Sequence, residues 1–75
     1  MLIRQIICVK AACWESFKAE YESLCELNFI DKDEKEVIAK ITTRETQLYD
    51  RINKDERLIY LGDSELAKRV EIDIF

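Results

Sequence analysis

The residues of this sequence that could do chemistry are three cysteines, Cys8, Cys13 and Cys25, and 16 acidic side chains. Histidine is absent, which excludes the usual Ser-His and Cys-His nucleophile pairs and most catalytic zinc sites. A single glycine, Gly62, is too few for a phosphate-binding loop or a dinucleotide fingerprint. We therefore predict that the protein is not an enzyme and uses no cofactor.

The cysteine spacing also argues against a metal site. If Cys8, Cys13 and Cys25 lie on one helix, neighbouring pairs point in directions roughly 120–140° apart. Three thiols spread around a helix cannot share one ion within a chain, so we expect no bound metal.

Length and charge restrict the class of protein. The 75 residues form one domain, residues 1–75, and a chain this short buries only about 60% of its unfolded surface. Self-association is the usual remedy, so we expect a homodimer. The net charge is −4 and the 12 basic residues are spread among acids, which disfavours direct binding to nucleic acid. No secretory signal or membrane span is visible, so we expect a cytoplasmic protein that binds no membrane.

An apolar stripe at helical spacing predicts an all-α fold. The first helix covers residues 1–28 and the second covers residues 33–61, with a short connection between them. Such a connection makes the two helices antiparallel neighbours, so the predicted architecture is a long helical hairpin that dimerises. Its core and dimer contact are assigned to six residues of the two stripes: Trp14, Phe17, Tyr21, Ile41, Leu48 and Ile52.

Three places leave a different interpretation open. Residues 2–10 are rich in β-branched side chains, which favour a strand, but they alternate poorly. Residues 42–45 have the pattern of a capping box, and the polar run 53–57 is compatible with a turn. Neither contains glycine or proline, so the sequence favours a continuous helix up to Gly62, which ends it in a left-handed conformation.

The C-terminal part is predicted as a short helix and an extended tail. Asp63 can cap a helix through Ser64–Val70. Residues 62–73 resemble the first helix and turn of helix-turn-helix DNA-binding proteins, in particular at Ser64-Glu65-Leu66-Ala67. Only Ile74 and Phe75 follow, so the recognition helix of that family is missing. The alternative function implied by this resemblance is a small transcription regulator that binds DNA.

The last five residues resemble the peptide by which many bacterial proteins enter the sliding clamp of DNA replication. That peptide is usually Gln-Leu-Asp/Ser-Leu-Phe, and an extended segment with two apolar anchors suits a preformed groove. The resemblance implies a partner-binding site, in which Glu71 departs from the usual glutamine. The residues concerned are Glu71, Ile72, Asp73, Ile74 and Phe75.

In size, charge and lack of catalytic residues, the chain is also similar to small acidic phage-type proteins that inhibit host replication or transcription factors. That resemblance implies the host cytoplasm as the location. It does not extend to a sequence match over the whole chain.

A second binding site is predicted on the acidic side of the second helix, where carboxylates present negative charge in place of DNA phosphates. Neighbouring lysines dilute this pattern. We therefore predict a non-enzymatic inhibitor or regulator that binds another protein, with DNA-replication or transcription machinery as the target class. The acidic face comprises Asp31, Asp33, Glu34, Glu36, Asp50, Asp55 and Glu56.

Overall fold

The computed structural model describes residues 1–70 and shows a mixed α/β protein, so the predicted all-α hairpin is wrong. Four strands form one antiparallel sheet in the order β2-β3-β1-β4, and three short helices pack on it. The chain order is β1 (Ile3–Lys10), a 3-10 turn (Ala11–Cys13), α1 (Trp14–Tyr21), β2 (Glu26–Lys32), β3 (Glu36–Thr43), α2 (Thr46–Asn53), β4 (Leu58–Ile59), a second 3-10 turn (Leu61–Asp63) and α3 (Glu65–Val70).

Each of the first two helices connects two parallel strands of the sheet. β1 and β2 are joined through α1 and run parallel to each other, because β3 lies between them and is antiparallel to both. β3 and β4 are joined through α2 and enclose β1 in the same way. This double split β-α-β arrangement is the topology of ferredoxin-like folds.

The two central strands explain why helical spacing was misleading. β1 and β3 pair along their whole length, from Ile3 opposite Thr43 to Lys10 opposite Glu36. The middle of each strand is buried on both faces, so apolar residues occupy successive positions and do not alternate. Such a run fits a buried helix as well as a strand. The strand interpretation of residues 2–10 is the one that the structure shows.

α1 and α2 cover the first face of the sheet, and the main core lies beneath them. The α1 residues Phe17 and Tyr21 and the α2 residues Leu48 and Ile52 enter this core at four-residue spacing, which brings each pair to one side of its helix. Trp14, which the sequence also assigned to the core, is half-buried at the margin. The strands contribute the rest of the cluster: Ile7, Val9, Ala39 and Ile41.

The predicted second helix is broken at both of its weak places. β3 ends at Thr43, whose Oγ1 accepts the Glu45 N–H at 3.1 Å, and α2 begins only at Thr46. α2 in turn ends at Asn53, and residues 54–57 form the turn that leads into β4. Polar residues with local hydrogen bonds thus end these elements without any glycine or proline.

The first predicted helix is also too long, and Gly62 does not end a long helix. Of residues 1–28, only Trp14–Tyr21 is α-helix. Gly62 lies in the second 3-10 turn, where an added Cβ would come within 2.6 Å of the Tyr60 ring, so glycine leaves room for that ring. Among the described residues, no helix is long and apolar enough to cross a membrane.

Candidate interaction surfaces

The second face of the sheet is partly covered by α3. The short C-terminal helix predicted from the sequence is present, but Ser64 caps it and not Asp63, because the Ser64 Oγ accepts the Ala67 N–H at 3.0 Å. The apolar side of the helix packs on the sheet in a small cluster of Ile6, Cys8, Ile38 and Leu66, with Ala67 and Val70 at its margin.

A buried polar cluster joins α3 to the sheet. The Glu36 carboxylate is only 6% exposed and accepts the Leu66 N–H at 3.2 Å and the Cys8 thiol at 3.2 Å. Ser64, which is completely buried, donates a further hydrogen bond to it. Desolvation raises the pKa of Glu36, but the hydrogen bonds that it accepts outweigh this effect and hold the pKa below its usual value. Glu36 is therefore charged at neutral pH and fixes the start of α3.

The three cysteines do not form one cluster, and burial raises the thiol pKa of two of them. Burial raises the pKa of Cys8 to about 12, and the neighbouring Glu36 carboxylate adds to the shift. A thiol protonated at neutral pH is a poor nucleophile and a poor metal ligand. Burial also raises the pKa of Cys25, which lies with Cys13 at the margin of the first-face core, whereas Cys8 lies on the second face.

One acid of the predicted acidic face is held in an ion-pair network. Arg57 Nη2 lies 2.7 Å from Asp55 Oδ2 and 2.7 Å from Glu20 Oε1, and Arg51 binds the other Glu20 oxygen at 2.6 Å. The Tyr21 hydroxyl donates to Asp55 at 3.1 Å. Hydrogen bonds from Arg57 lower the pKa of Asp55 to about 2. Asp55 therefore contributes to the packing of α1 on the turn after α2, and it is not available to a partner.

The other acids of that face are distributed over several elements, because residues 33–61 do not form one helix. Glu36 is buried beneath α3. Asp33 accepts two backbone N–H groups in the turn between β2 and β3 and forms an ion pair with Arg69. The predicted acidic helix face therefore does not exist as such. The remaining acids are Asp31 on β2, Glu34 in the turn before β3, Asp50 on α2 and Glu56 in the turn after α2.

β2 forms an exposed edge of the sheet. Among residues 1–70 it pairs only with β3, and a bulge interrupts the ladder between Phe29 and Asp31. Phe29 is 54% exposed, Ile30 41% and Leu24, in the preceding turn, 49%. The centroids of the Phe29 and Trp14 rings are 6.5 Å apart, so the exposed patch continues onto α1. We name this patch the β2 surface, formed by Trp14, Leu27, Phe29 and Ile30.

Beyond the reach of α3, the second face carries an open groove of about 800 Å³. The sheet register sets Arg4 opposite Thr42 and Asn28 opposite Lys40, which brings these four side chains together. Among the described residues, none of Arg4, Lys40 and Arg44 forms an ion pair. We name it the basic groove, formed by Arg4, Asn28, Lys40, Thr42 and Arg44, with Leu2, Leu24, Glu26 and Glu45 also lining it.

The predicted clamp-binding peptide, Glu71 to Phe75, lies outside the described residues, so its role stays a prediction. The helix before it, which resembles part of a helix-turn-helix module, packs its Leu66 side on the sheet. Neither a protein family nor a curated protein nor a solved structure matches this chain.

Proposed function

We propose that this protein is a non-enzymatic inhibitor or regulator that works by binding other proteins. The β2 surface supports this best, because its exposed apolar side chains lie beside a sheet edge that no other described strand covers, and such edges are typical of protein contacts. The protonated Cys8 thiol and the ion-paired Asp55 suit a structural role better than a catalytic one. The target class remains DNA-replication or transcription machinery, as the C-terminal peptide implies.

The first partner that we propose for the β2 surface is a second copy of the chain. β2 runs from Glu26 to Lys32 with Phe29 at its centre. A two-fold axis near Phe29 places two antiparallel β2 strands side by side, so that Glu26 of each copy comes near Lys32 of the other. Because the bulge interrupts a regular ladder, Phe29 and Trp14 contribute most of the contact. We therefore propose that the homodimer expected from the sequence forms through the β2 surface.

Replacing Phe29 by Glu is expected to convert the dimer into a monomer. The change buries two like charges at the centre of the contact, and we expect the dissociation constant to rise at least tenfold, roughly 1.4 kcal/mol. Sedimentation at micromolar concentration should give twice the 8.9 kDa chain mass for the parent protein and the single mass for Phe29→Glu.

The matched control is Tyr60→Glu, which introduces the same charge at an aromatic residue that is 78% exposed elsewhere on the surface. It should remain dimeric, and both variants should keep the melting temperature within a few degrees. A monomeric parent protein would contradict the dimer, and a dimeric Phe29→Glu variant would place the contact elsewhere.

The second contact that we propose is the C-terminal peptide. It follows directly after α3, which is fixed to the sheet by Glu36 and by the ion pair of Arg69 with Asp33. Because the helix before the peptide is anchored to the sheet, the peptide loses less conformational freedom on binding, which favours its insertion into a groove. The first candidate target is a bacterial sliding clamp.

Purified sliding clamp titrated into the labelled protein should bind saturably, and Ile74→Ala/Phe75→Ala should weaken binding at least tenfold because both apolar anchors are truncated. Tyr60→Ala serves as the control and should bind like the parent protein. Absence of binding by the parent protein would reject the clamp as target. Salt-dependent binding to random duplex DNA would instead favour the DNA-binding alternative.

A further inference from the structure

We propose that residues 71–75 of the chain dock in cis into its own basic groove. The proposal goes beyond the proposed function, since it concerns where the peptide lies when no partner is bound. It is carried by three independent features of the described residues: the position of Val70, the charges of the groove and the apolar residues beside them.

The first feature is distance. Val70, the last residue of α3, lies at the margin of the cluster that contains Ile6 and Ile38. On β3, Lys40 is two residues beyond Ile38 and Thr42 is four beyond, which corresponds to roughly 7 and 13 Å along a strand. Five further residues can span at most about 17 Å. From the margin of this cluster, the peptide is therefore long enough to reach Lys40 and Thr42.

The second feature is charge. The groove brings the basic side chains of Arg4, Lys40 and Arg44 together on a protein whose net charge is −4, and none of the three has an ion-pair partner among residues 1–70. The peptide supplies two acids, Glu71 and Asp73. Complementary charges of this kind fix orientation more than they add affinity.

The third feature is apolar surface. Leu2 and Leu24 line the groove and are 40% and 49% exposed. The peptide carries Ile72, Ile74 and Phe75 between and after its acids. A segment of mixed acidic and apolar character thus matches a groove of mixed basic and apolar character. The acids Glu26 and Glu45, which also line the groove, direct the peptide carboxylates towards Arg4 and Lys40.

Docking in cis has a regulatory consequence. The same apolar residues, Ile72, Ile74 and Phe75, would contact either the groove or a partner. The peptide therefore cannot be docked in the groove and bound to a partner at the same time. Because the peptide is tethered directly to α3, its effective concentration at the groove reaches the millimolar range, and even a weak contact is occupied. A partner must then compete with the groove, which lowers its apparent affinity.

The test compares amide NMR spectra of full-length variants without any partner. Glu71→Lys/Asp73→Lys should shift amides of the groove, chiefly those of Arg4, Lys40 and Thr42, and leave the amides of α1 unchanged. Adding Lys40→Glu to that variant restores one attractive charge pair and should return part of the shift. The control Lys18→Glu alters an exposed lysine of α1 and should not move the groove amides.

If the amide resonances of the groove residues do not shift in Glu71→Lys/Asp73→Lys, the proposal is overturned. Groove shifts that weaken on dilution would also overturn it, since they would assign the occupant to a second copy. The measurement contains no clamp, so its failure leaves the clamp contact intact, and failure of the clamp titration leaves the docking result intact.

Discussion

Phe17→Ala is expected to lower the free energy of unfolding by about 3–5 kcal/mol, the usual range for a buried phenylalanine. Phe17 is completely buried and its ring centroid lies 4.8 Å from that of Tyr21. The Arg57 guanidinium also lies over the Phe17 ring, 5.3 Å from its centroid. The truncation therefore removes core packing between α1 and the sheet. It also removes the ring on which Arg57 of the ion-pair network rests. Urea unfolding followed by circular dichroism measures the change.

Tyr60→Ala is the matched aromatic truncation at an exposed site, and it should change the free energy of unfolding by less than about 0.5 kcal/mol. Since small domains have little stability to lose, we expect Phe17→Ala to be largely unfolded at 37 °C, and the urea titration at a lower temperature then measures the loss. A loss under about 1 kcal/mol for Phe17→Ala would contradict the position of Phe17 in the core.

Glu36→Ala is expected to release α3 from the sheet. It removes the acceptor of the Leu66 N–H and the Cys8 thiol in a buried site, and each buried donor left without a partner costs about 1–3 kcal/mol. Hydrogen exchange should show the amides of residues 66–70 losing protection by at least tenfold, while those of Phe17 and Ile41 keep most of theirs. The effect is local because the apolar residues of α3 belong to the second-face cluster and not to the first-face core.

Glu34→Ala is the control, since it removes a neighbouring carboxylate that is exposed. It should leave the protection of α3 unchanged. Equal loss of protection throughout the Glu36→Ala variant would contradict a separately anchored helix and would make Glu36 part of the global folding unit.

The apolar pattern identified which residues are inside better than it identified their secondary structure. Phe17, Tyr21, Leu48 and Ile52 do enter the core from helices. Ile41 enters it from β3, whose neighbours Thr42 and Thr43 are poor helix residues that the spacing argument outweighed. Burial on both faces removes the alternation by which a strand is usually identified, so both central strands were assigned to helices. The short strand β4 and the first residues of β2 were assigned to helices as well.

Neither the β2 surface nor the basic groove could be predicted from the sequence. Arg4, Asn28 and Lys40 are far apart in the chain and meet only through the register of three strands. Glu36 was assigned to an exposed acidic face because nothing local distinguishes it from Glu34. Its burial depends on α3, which comes back over the sheet thirty residues later. Such sites are products of topology and leave no periodic signal.

The central place of β1 in the sheet also affects how the chain is made. β1 precedes its neighbours β3 and β4 in the chain and is therefore synthesised well before them. Pairings between such distant segments form slowly, because the entropy of closing a long loop is lost before the strand contacts stabilise it. Until then, the run Ile6-Ile7-Cys8-Val9 is uncovered, and an apolar β-prone segment of this kind readily pairs with other chains. We therefore expect nascent chains of this protein to associate more readily than those of a helical hairpin, which is built from local contacts.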